Sequence, residues 1–533
     1  MLATKKKIVL LCLCLMVLIS IISCKSASPE TYIPVDTDVI AADEHEETTH
    51  EELPLEEPHQ EEVDTLQLLL DTANTRRLGI GQVEEQTVRE LAYSRDFTFY
   101  DLTPLMPGEW QSLPPTVTPE EAIEDVEIFF DVLRYVYGAY QYFGGDEVFE
   151  PVKEQIIKDI LRDSNAIAGT EFVQLLYRHL SPIIIDHHLS IRHGSSAFAS
   201  FGPSYSFLVS SDAFFDKSDF SFRNRENGLY ITEIIGYDLV DIMRLQLDES
   251  VRHFYAPVVM RDGLSAASLM LTIVYEDGTN GELELRVPSS HRNSIAPPTV
   301  LTYIDDIPVV PLKMMLGLGD TAQGQYSKKF LDYARLLQDE PVVILDLRTN
   351  EGGSPILPII WMHLLSGEVV RENAILLTNW GSGFEYPWRP WGDTPETNKY
   401  YIPVEYGEEF SFLFHRTIVN GFPIENFNGR RIVEREQILI VLVDRSTASA
   451  GELFTDIAFN MKNTLVIGQN TFGTLTCNLS YPYLRMPNSG IILGLGRGLM
   501  LHPEGHFAEG VGYRPDVWVT GDALAAAIAM LTN

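Results

Sequence analysis

Residues 437–454 read QILIVLVDRSTASAGELF. From Ile438 to Val443 every residue is an apolar strand former, with no polar alternation, which predicts a strand buried on both faces. Asp444-Arg445-Ser446-Thr447 breaks the run. Ala448 to Met461 then has helical periodicity, with Leu453, Phe454, Ile457 and Ala458 on one face. Ser449 therefore stands where a buried strand turns into a helix. A hydroxyl in that place meets free backbone N–H groups at the positive end of the helix dipole. The same groups can stabilise an oxyanion, which suits a nucleophile. Ser449-Ala450-Gly451-Glu452 is also an S-x-x-E capping box, which accounts for the serine without any chemistry. On this stretch alone both readings stand.

Working outward, Pro341–Leu345 is a second buried strand, and it runs into Asp346-Leu347-Arg348-Thr349-Asn350-Glu351-Gly352-Gly353. Both turns fall at the C-terminal end of a buried strand, where α/β sheets place their ligands. A glycine pair there lets backbone amides approach a substrate, although such a pair also serves simply as a turn. Helices over Lys328–Gln338 and Ile356–Leu365 and a strand at Leu465–Gly468 extend the pattern, and Ile491–Leu495 and Gly498–Leu501 are expected to close the sheet. Residues 308–533 thus predict an α/β core. Ahead of it, residues 205–307 are rich in short strands, including Gly228–Ile235, Leu269–Tyr275 and Glu282–Val287. Residues 118–195 read as a helical unit that opens on Thr118-Pro119-Glu120-Glu121 and ends in Asp186-His187-His188. Residues 64–117 yield only a helix near Thr65–Thr75 and extended chain near Arg95–Leu102. Tyr386–Glu408, with Trp380, Trp388 and Trp391 in or near it, reads as an inserted aromatic loop, either functional or a cover for the core.

The chain of 533 residues carries a formal net charge of −36. That balance argues against nucleic acid or an anionic membrane surface as the main partner. Lys5-Lys6-Lys7, the apolar run Ile8–Ile22 and then Cys24 resemble a lipoprotein signal, with residues 1–24 as signal and Cys24 as the lipidated residue; an anchor helix is the other reading. Residues 25–63 are acidic and low in complexity, and are expected to form a solvated tether. With Cys12 and Cys14 in the signal and Cys24 lipidated, Cys477 is left alone, which excludes an intramolecular disulfide and a cysteine-based metal site. There is no phosphate-binding loop and no convincing dinucleotide fingerprint, so no cofactor is expected.

Five stretches in order carry a resemblance. D-L-R-x-N-x-G-G at Asp346–Gly353 and T-A-S-A-x-E at Thr447–Glu452 resemble the signature of the C-terminal processing (tail-specific) serine peptidases and their tricorn relatives. Val466-Ile467-Gly468 with Thr471-Phe472-Gly473, Glu509-Gly510-Val511-Gly512 with Pro515-Asp516-Val517, and Asp186-His187-His188 agree with it. The resemblance implies a multidomain α/β protein: a ClpP/crotonase-like core, an N-terminal helical subdomain, and residues 205–307 in the place of a PDZ module. It implies a serine endopeptidase acting on polypeptides, such as unstructured C-termini, with Ser449 as nucleophile and an oxyanion hole at Ala450 with Gly352 or Gly353. Asp346 and Arg348 would hold the turn.

The chain departs from the family at the base. Where the Ser–Lys members have lysine, this chain has Thr474, whose hydroxyl cannot take a proton at neutral pH; Thr474→Ala is therefore expected to leave most activity. The tricorn-like branch uses histidine, which makes His188 the base and Glu509 the carboxylate that orients or stabilises its ring. His193, His502 and His506 compete with His188, and Glu504 competes with Glu509. Tricorn has serine where this chain has His187. That difference and Thr474 motivate a second reading, a peptide-binding pseudo-protease, and a solute-binding lipoprotein is a third.

Overall fold

The computed structural model describes residues 65–93, 100–106, 113–162, 165–210, 214–218, 221–247, 251–263, 268–288, 299–318, 322–378, 432–480 and 483–532. Cys24, the acidic tract, the aromatic insertion at 386–408 and part of the extended segment expected at 95–102 lie outside them.

The chain begins with α1 (Thr65–Leu78), followed by the helical lobe α2 (Pro119–Val136), α3 (Gly145–Arg162) and α4 (Gly169–Leu180). The helix start read at Thr118-Pro119-Glu120-Glu121 is a capping box in the structure: Glu121 N–H donates to Thr118 Oγ1 at 3.2 Å, and Thr118 N–H donates to Glu121 Oε2 at 2.8 Å. The strand β1 (Asp186–His193) leaves this lobe and pairs with β2 (Ala197–Phe201).

Eight strands follow: β3 (Tyr205–Val209), β4 (Phe215–Ser218), β5 (Ser221–Asn224), β6 (Tyr230–Ile234), β7 (Met243–Leu247), β8 (His253–Asp262), β9 (Ser268–Tyr275) and β10 (Asn280–Arg286). Seven of them run in the order β8-β3-β10-β9-β6-β5-β4, and the pair Tyr255↔Phe215 returns β4 to β8, so the ring closes. Closure removes the free edges that an antiparallel sheet would otherwise expose. Leu208, Phe215, Phe222, Ile231, Leu271, Ile273 and Leu285 belong to the apolar core of this barrel.

The α/β core holds β11 (Thr302–Ile304), β12 (Ile307–Pro311), α5 (Ala322–Leu336), β13 (Val342–Asp346), α6 (Ile356–Ser366), β14 (Ile375–Thr378), β15 (Ile438–Val443), α7 (Ala450–Ala458) and β16 (Thr464–Gly468). It ends with β17 (Cys477–Ser480), β18 (Leu484–Arg485), β19 (Ile492–Gly494), β20 (Gly496–Leu501), β21 (Val517–Trp518) and α8 (Ala523–Thr532). Strands β12, β13, β15, β16 and β21 are parallel neighbours, in that order. Leu439, Ile440, Val441 and Leu442 of β15 are wholly buried, which is why the run shows no alternation. Each such side chain contributes about 1.5–3 kcal/mol of hydrophobic stabilisation. The parallel sheet passes into the barrel where Trp518 of β21 pairs with Gln246 of β7.

One expectation needs correction. The strands near 491–501 do not close the parallel sheet. β19 pairs with β1 and β18, and β20 lies between β14 and β17. Leu493, Leu499 and Leu501 pack in the same core as the lobe helices, and that burial draws both strands away from the sheet. The place beside β16 goes to β21. The helix expected near Thr65–Thr75 forms as α1, and its Leu69, Leu70 and Ala73 pack in one core with Ile440, Leu442 and Ile467 of the sheet. Arg77 is fixed there by Asp516 at 2.6 Å, and Asp516 also accepts from Val466 N–H at 2.9 Å.

Candidate active site

Three loops leave the C-terminal ends of adjacent parallel strands: 347–353 after β13, 444–449 after β15, and 469–476 after β16. Ser449 lies at the second, with φ +53° and ψ −117°. That region costs a non-glycine residue of the order of 1–3 kcal/mol and marks functional turns when the surroundings enforce it. Here they do. Ala448 N–H donates to the Asn350 carbonyl at 2.8 Å, and Ser449 N–H donates to Glu452 Oε2 at 3.1 Å. The Ser449 side chain makes no cap hydrogen bond. Its Oγ lies 3.3 Å from His188 Nε2 instead.

The glycine turn crowds against this serine. A Cβ built on Gly352 would lie 2.8 Å from Ser449 Cβ, and one on Gly353 would lie 2.0 Å from the Met315 carbonyl oxygen, so neither position admits a side chain. Gly352 N–H is committed to Asn350 Oδ1 at 2.8 Å, which separates the two candidates named for the oxyanion hole. Gly353 N–H and Ala450 N–H have no hydrogen-bond partner among the described residues. Asn350, which the sequence reading passed over, is wholly buried and holds the turn from both sides, with its Nδ2 donating to the Leu312 carbonyl at 2.7 Å. Its only sequence signal is the N of D-L-R-x-N-x-G-G. Arg348 grips Asp346 through two bonds, at 2.8 and 2.7 Å, and reaches Asp522 at 2.6 Å. The bidentate pair braces the turn.

His188 comes from β1. Its backbone N–H donates to Asp186 Oδ1 at 2.8 Å, and Tyr137 O–H donates to Asp186 Oδ2 at 2.7 Å. Burial, with the charge of Glu509, raises the Asp186 carboxyl above the ordinary range, although the charge of His188 and these two hydrogen bonds act against it. The competing histidines are engaged elsewhere. His506 Nε2 bonds Asp456 Oδ1 at 2.8 Å, and Asp456 takes Asn373 N–H at 2.9 Å. His502 lies 3.3 Å from the Leu475 carbonyl and 3.2 Å from Tyr513 O–H, and burial holds its ring down at about 4. His193 is buried at the end of β1, against Gly169. Lys462 pairs with Glu434 at 2.7 Å, and Glu504 is exposed.

Glu509 differs from expectation. It does not bond the ring of His188. Its Oε1 accepts from the N–H of His187 at 2.8 Å and lies 2.9 Å from His187 Nδ1, while its Oε2 accepts from Leu475 and Thr476 N–H at 3.2 and 2.9 Å. Successive side chains on a strand point to opposite faces. Here the pairing of β1 with β2 is irregular between Asp186 and Ser190, and the contacts themselves separate the two rings: His187 meets Glu509, and His188 meets Ser449. The group at His188 Nδ1 is Thr474 Oγ1, at 3.3 Å.

A second buried carboxylate joins these parts. Glu452 Oε1 accepts from Thr471 O–H at 2.6 Å and Gly473 N–H at 2.7 Å, and its Oε2 accepts from Thr474 N–H at 2.7 Å. Burial raises its carboxyl, these donors pull it back, the charge of Glu509 adds to the rise, and it comes to about 7. Arg445 donates to the carbonyls of Thr471, Val511 and Gly510, which ties the loop after β15 to the loop after β16 and to the Glu509 turn. No group of three or more histidine, cysteine or acidic side chains could hold a metal ion among the described residues.

Residues 309–519 match the model of peptidase family S41. No curated protein matches the chain. Among solved structures, mature CPAF complexed with lactacystin is 13% identical, covering 78% of this chain and 98% of its own, at a TM-score of 0.38. The photosystem II D1 C-terminal processing protease is 14% identical, covering 75% and 92%, at a TM-score of 0.32. A lipoprotein from Streptococcus agalactiae is 13% identical, covering 80% and 99%, at a TM-score of 0.31.

Proposed function

We propose, from the match of residues 309–519 to the model of peptidase family S41, that the chain is a tail-specific serine endopeptidase with Ser449 as nucleophile and His188 as base. The observation that carries this reading is the 3.3 Å approach of Ser449 Oγ to His188 Nε2, at a strained turn beside two uncommitted amides. Such hydrogen bonds are often long without substrate and tighten when it binds. In acylation the Ser449 proton passes to His188 Nε2 as Oγ bonds to the scissile carbonyl carbon. The carbonyl oxygen takes the negative charge and is met by Ala450 and Gly353 N–H. His188 returns the proton to the leaving nitrogen, the C–N bond breaks, and the acyl group stays on Ser449. Water then attacks the ester, again losing its proton to His188, and Ser449 is restored.

The N-terminal pattern adds a place to this activity. Cys24, closing an apolar run behind three lysines, supports a lipid-anchored enzyme of the cell envelope that faces extracytoplasmic polypeptides. One experiment addresses both claims. A fluorophosphonate, whose P–F bond breaks and releases fluoride as an activated serine oxygen bonds to phosphorus, should label the wild-type protein in the membrane fraction. Ser449→Ala should abolish the label, and Cys24→Ala should move labelled protein to the soluble fraction. Well-folded wild type that takes no label is the outcome that favours a pseudo-protease. Label that stays with membranes in Cys24→Ala removes the lipid anchor.

A further inference from the structure

We infer that Thr474 is the positioning residue of the catalytic histidine, its hydroxyl oxygen accepting a hydrogen bond from His188 Nδ1–H where a carboxylate was expected. The inference rests on the peptidase reading above, and it reverses the expectation that Thr474 has no part in the chemistry. The His188 ring meets only two side-chain hydrogen-bonding groups among the described residues: Ser449 Oγ at Nε2 and Thr474 Oγ1 at Nδ1, both at 3.3 Å. The carboxylates that could compete are committed elsewhere. Asp186 holds the backbone N–H of His188 and the hydroxyl of Tyr137. Both oxygens of Glu509 are taken by His187, Leu475 and Thr476. Glu452 is bound to Ser449, Thr471, Gly473 and Thr474.

The hydroxyl is itself held in place. Thr474 is buried, and its N–H is anchored on Glu452, the same carboxylate that takes Ser449 N–H. The two residues after it hang on Glu509, which also takes the N–H of the residue before His188. Glu452 thus sets the distance from nucleophile to Thr474, and Glu509 sets the distance from Thr474 to the histidine strand. An acceptor at Nδ1 keeps the proton on that nitrogen. The Nε2 lone pair is then left facing Ser449, which is the tautomer a general base needs. The hydroxyl holds the ring's orientation without bringing a charge to it, and in accepting from Nδ1–H it favours this tautomer.

The experiment compares Thr474→Val, Thr474→Ala and Thr474→Ser with the wild type in the full chain. It reads the rate of fluorophosphonate labelling and the kcat and KM of peptide hydrolysis, each per folded molecule as judged by circular dichroism. Loss of a hydrogen bond to a ring that becomes charged lowers acylation by about 10- to 100-fold. The valine and alanine variants should show that fall in kcat with KM little changed, and the serine variant should recover most of the rate. The two truncating variants cover one another if valine does not fold. Wild-type rates in both, or a serine variant as slow as they are, overturn the inference while the peptidase reading stands. No labelling of folded wild type overturns that reading and this inference with it.

Discussion

Two glutamates, Glu452 and Glu509, are buried in the same site and end on opposite sides of the ordinary glutamate range. Glu452 stands at the first turn of the nucleophile helix, and Glu509 in the turn ahead of β21. Burial pushes both carboxyls up. At Glu509 the ring and amide of His187 and the amide of Thr476 more than reverse that push, and the group ends below its usual value. At Glu452 the donors are neutral, the negative charge of Glu509 adds to the rise, and the carboxyl stays up at about 7. Equal burial therefore does not mean equal titration. What separates the two is His187, whose ring and amide bond Glu509 directly and whose charge adds to the lowering. Their pH windows have opposite sense. Glu509 contributes stability above its unfolded value, and this is lost as pH falls through the depressed folded one. Glu452 contributes stability below its unfolded value, and this is lost as pH rises toward about 7.

The strongest way to break this comparison is Glu509→Ala. It leaves the amides of His187, Leu475 and Thr476 and the His187 ring without their acceptor. Stripping the partner from buried donors costs about 3 kcal/mol or more in sum. Urea unfolding at neutral pH should show that loss, and labelling should fall by about 100-fold or more, because both His188 and Thr474 lose their brace. If the variant unfolds like wild type, Glu509 is not the brace described here.

Glu452→Gln sharpens the comparison through pH. In the wild type, a rise from the reference value near 4.5 to about 7 corresponds to a contribution on the order of 3 kcal/mol, which disappears between those values as pH increases. Arg445 and Glu509 are the charges that face it. The glutamine variant should lose that slope, so its stability at pH 5 and pH 8 should differ by less than in the wild type. An unchanged slope would mean that Glu452 does not titrate in this window.

The same contrast explains what the sequence disclosed. The Glu452 half of the site is local: Ser449, the glycine turn and the Thr471–Thr474 loop follow adjacent strands of one parallel sheet, and apolar runs with broken ends reveal such strands. The nucleophile turn and the amides beside it were therefore legible. The Glu509 half joins residues 186–188 to residues 474–476 and 509 across separate elements, and no periodicity records which face of β1 meets which loop. The pairing of β1 is irregular between Asp186 and Ser190, so simple alternation does not tell that His188 meets Ser449 and His187 meets Glu509; the folded strand does. Thr474 was noticed for the lysine it replaces, but its partner across the site could not be read from one chain segment. The barrel was visible as strands but not as a closed ring, since closure depends on the pair between β4 and β8.

The smallest expected effect concerns Lys462, the lysine nearest to Ser449 in sequence on the helix side. It follows α7, whose nine residues rise about 13 Å in all. Its ammonium pairs with Glu434, and the two side chains remain 45% and 73% exposed. An exposed pair of this kind contributes about 0–1 kcal/mol, less at high salt. A lysine that served as base would have to be neutral at working pH, which calls for burial away from carboxylates; this one is solvated and paired with a carboxylate. Lys462→Ala should therefore keep wild-type labelling and shift the unfolding midpoint little, whereas His188→Ala should abolish labelling. If Lys462→Ala lost its label while His188→Ala kept it, the base would lie at the far end of the helix and the serine–histidine pair would have to be abandoned.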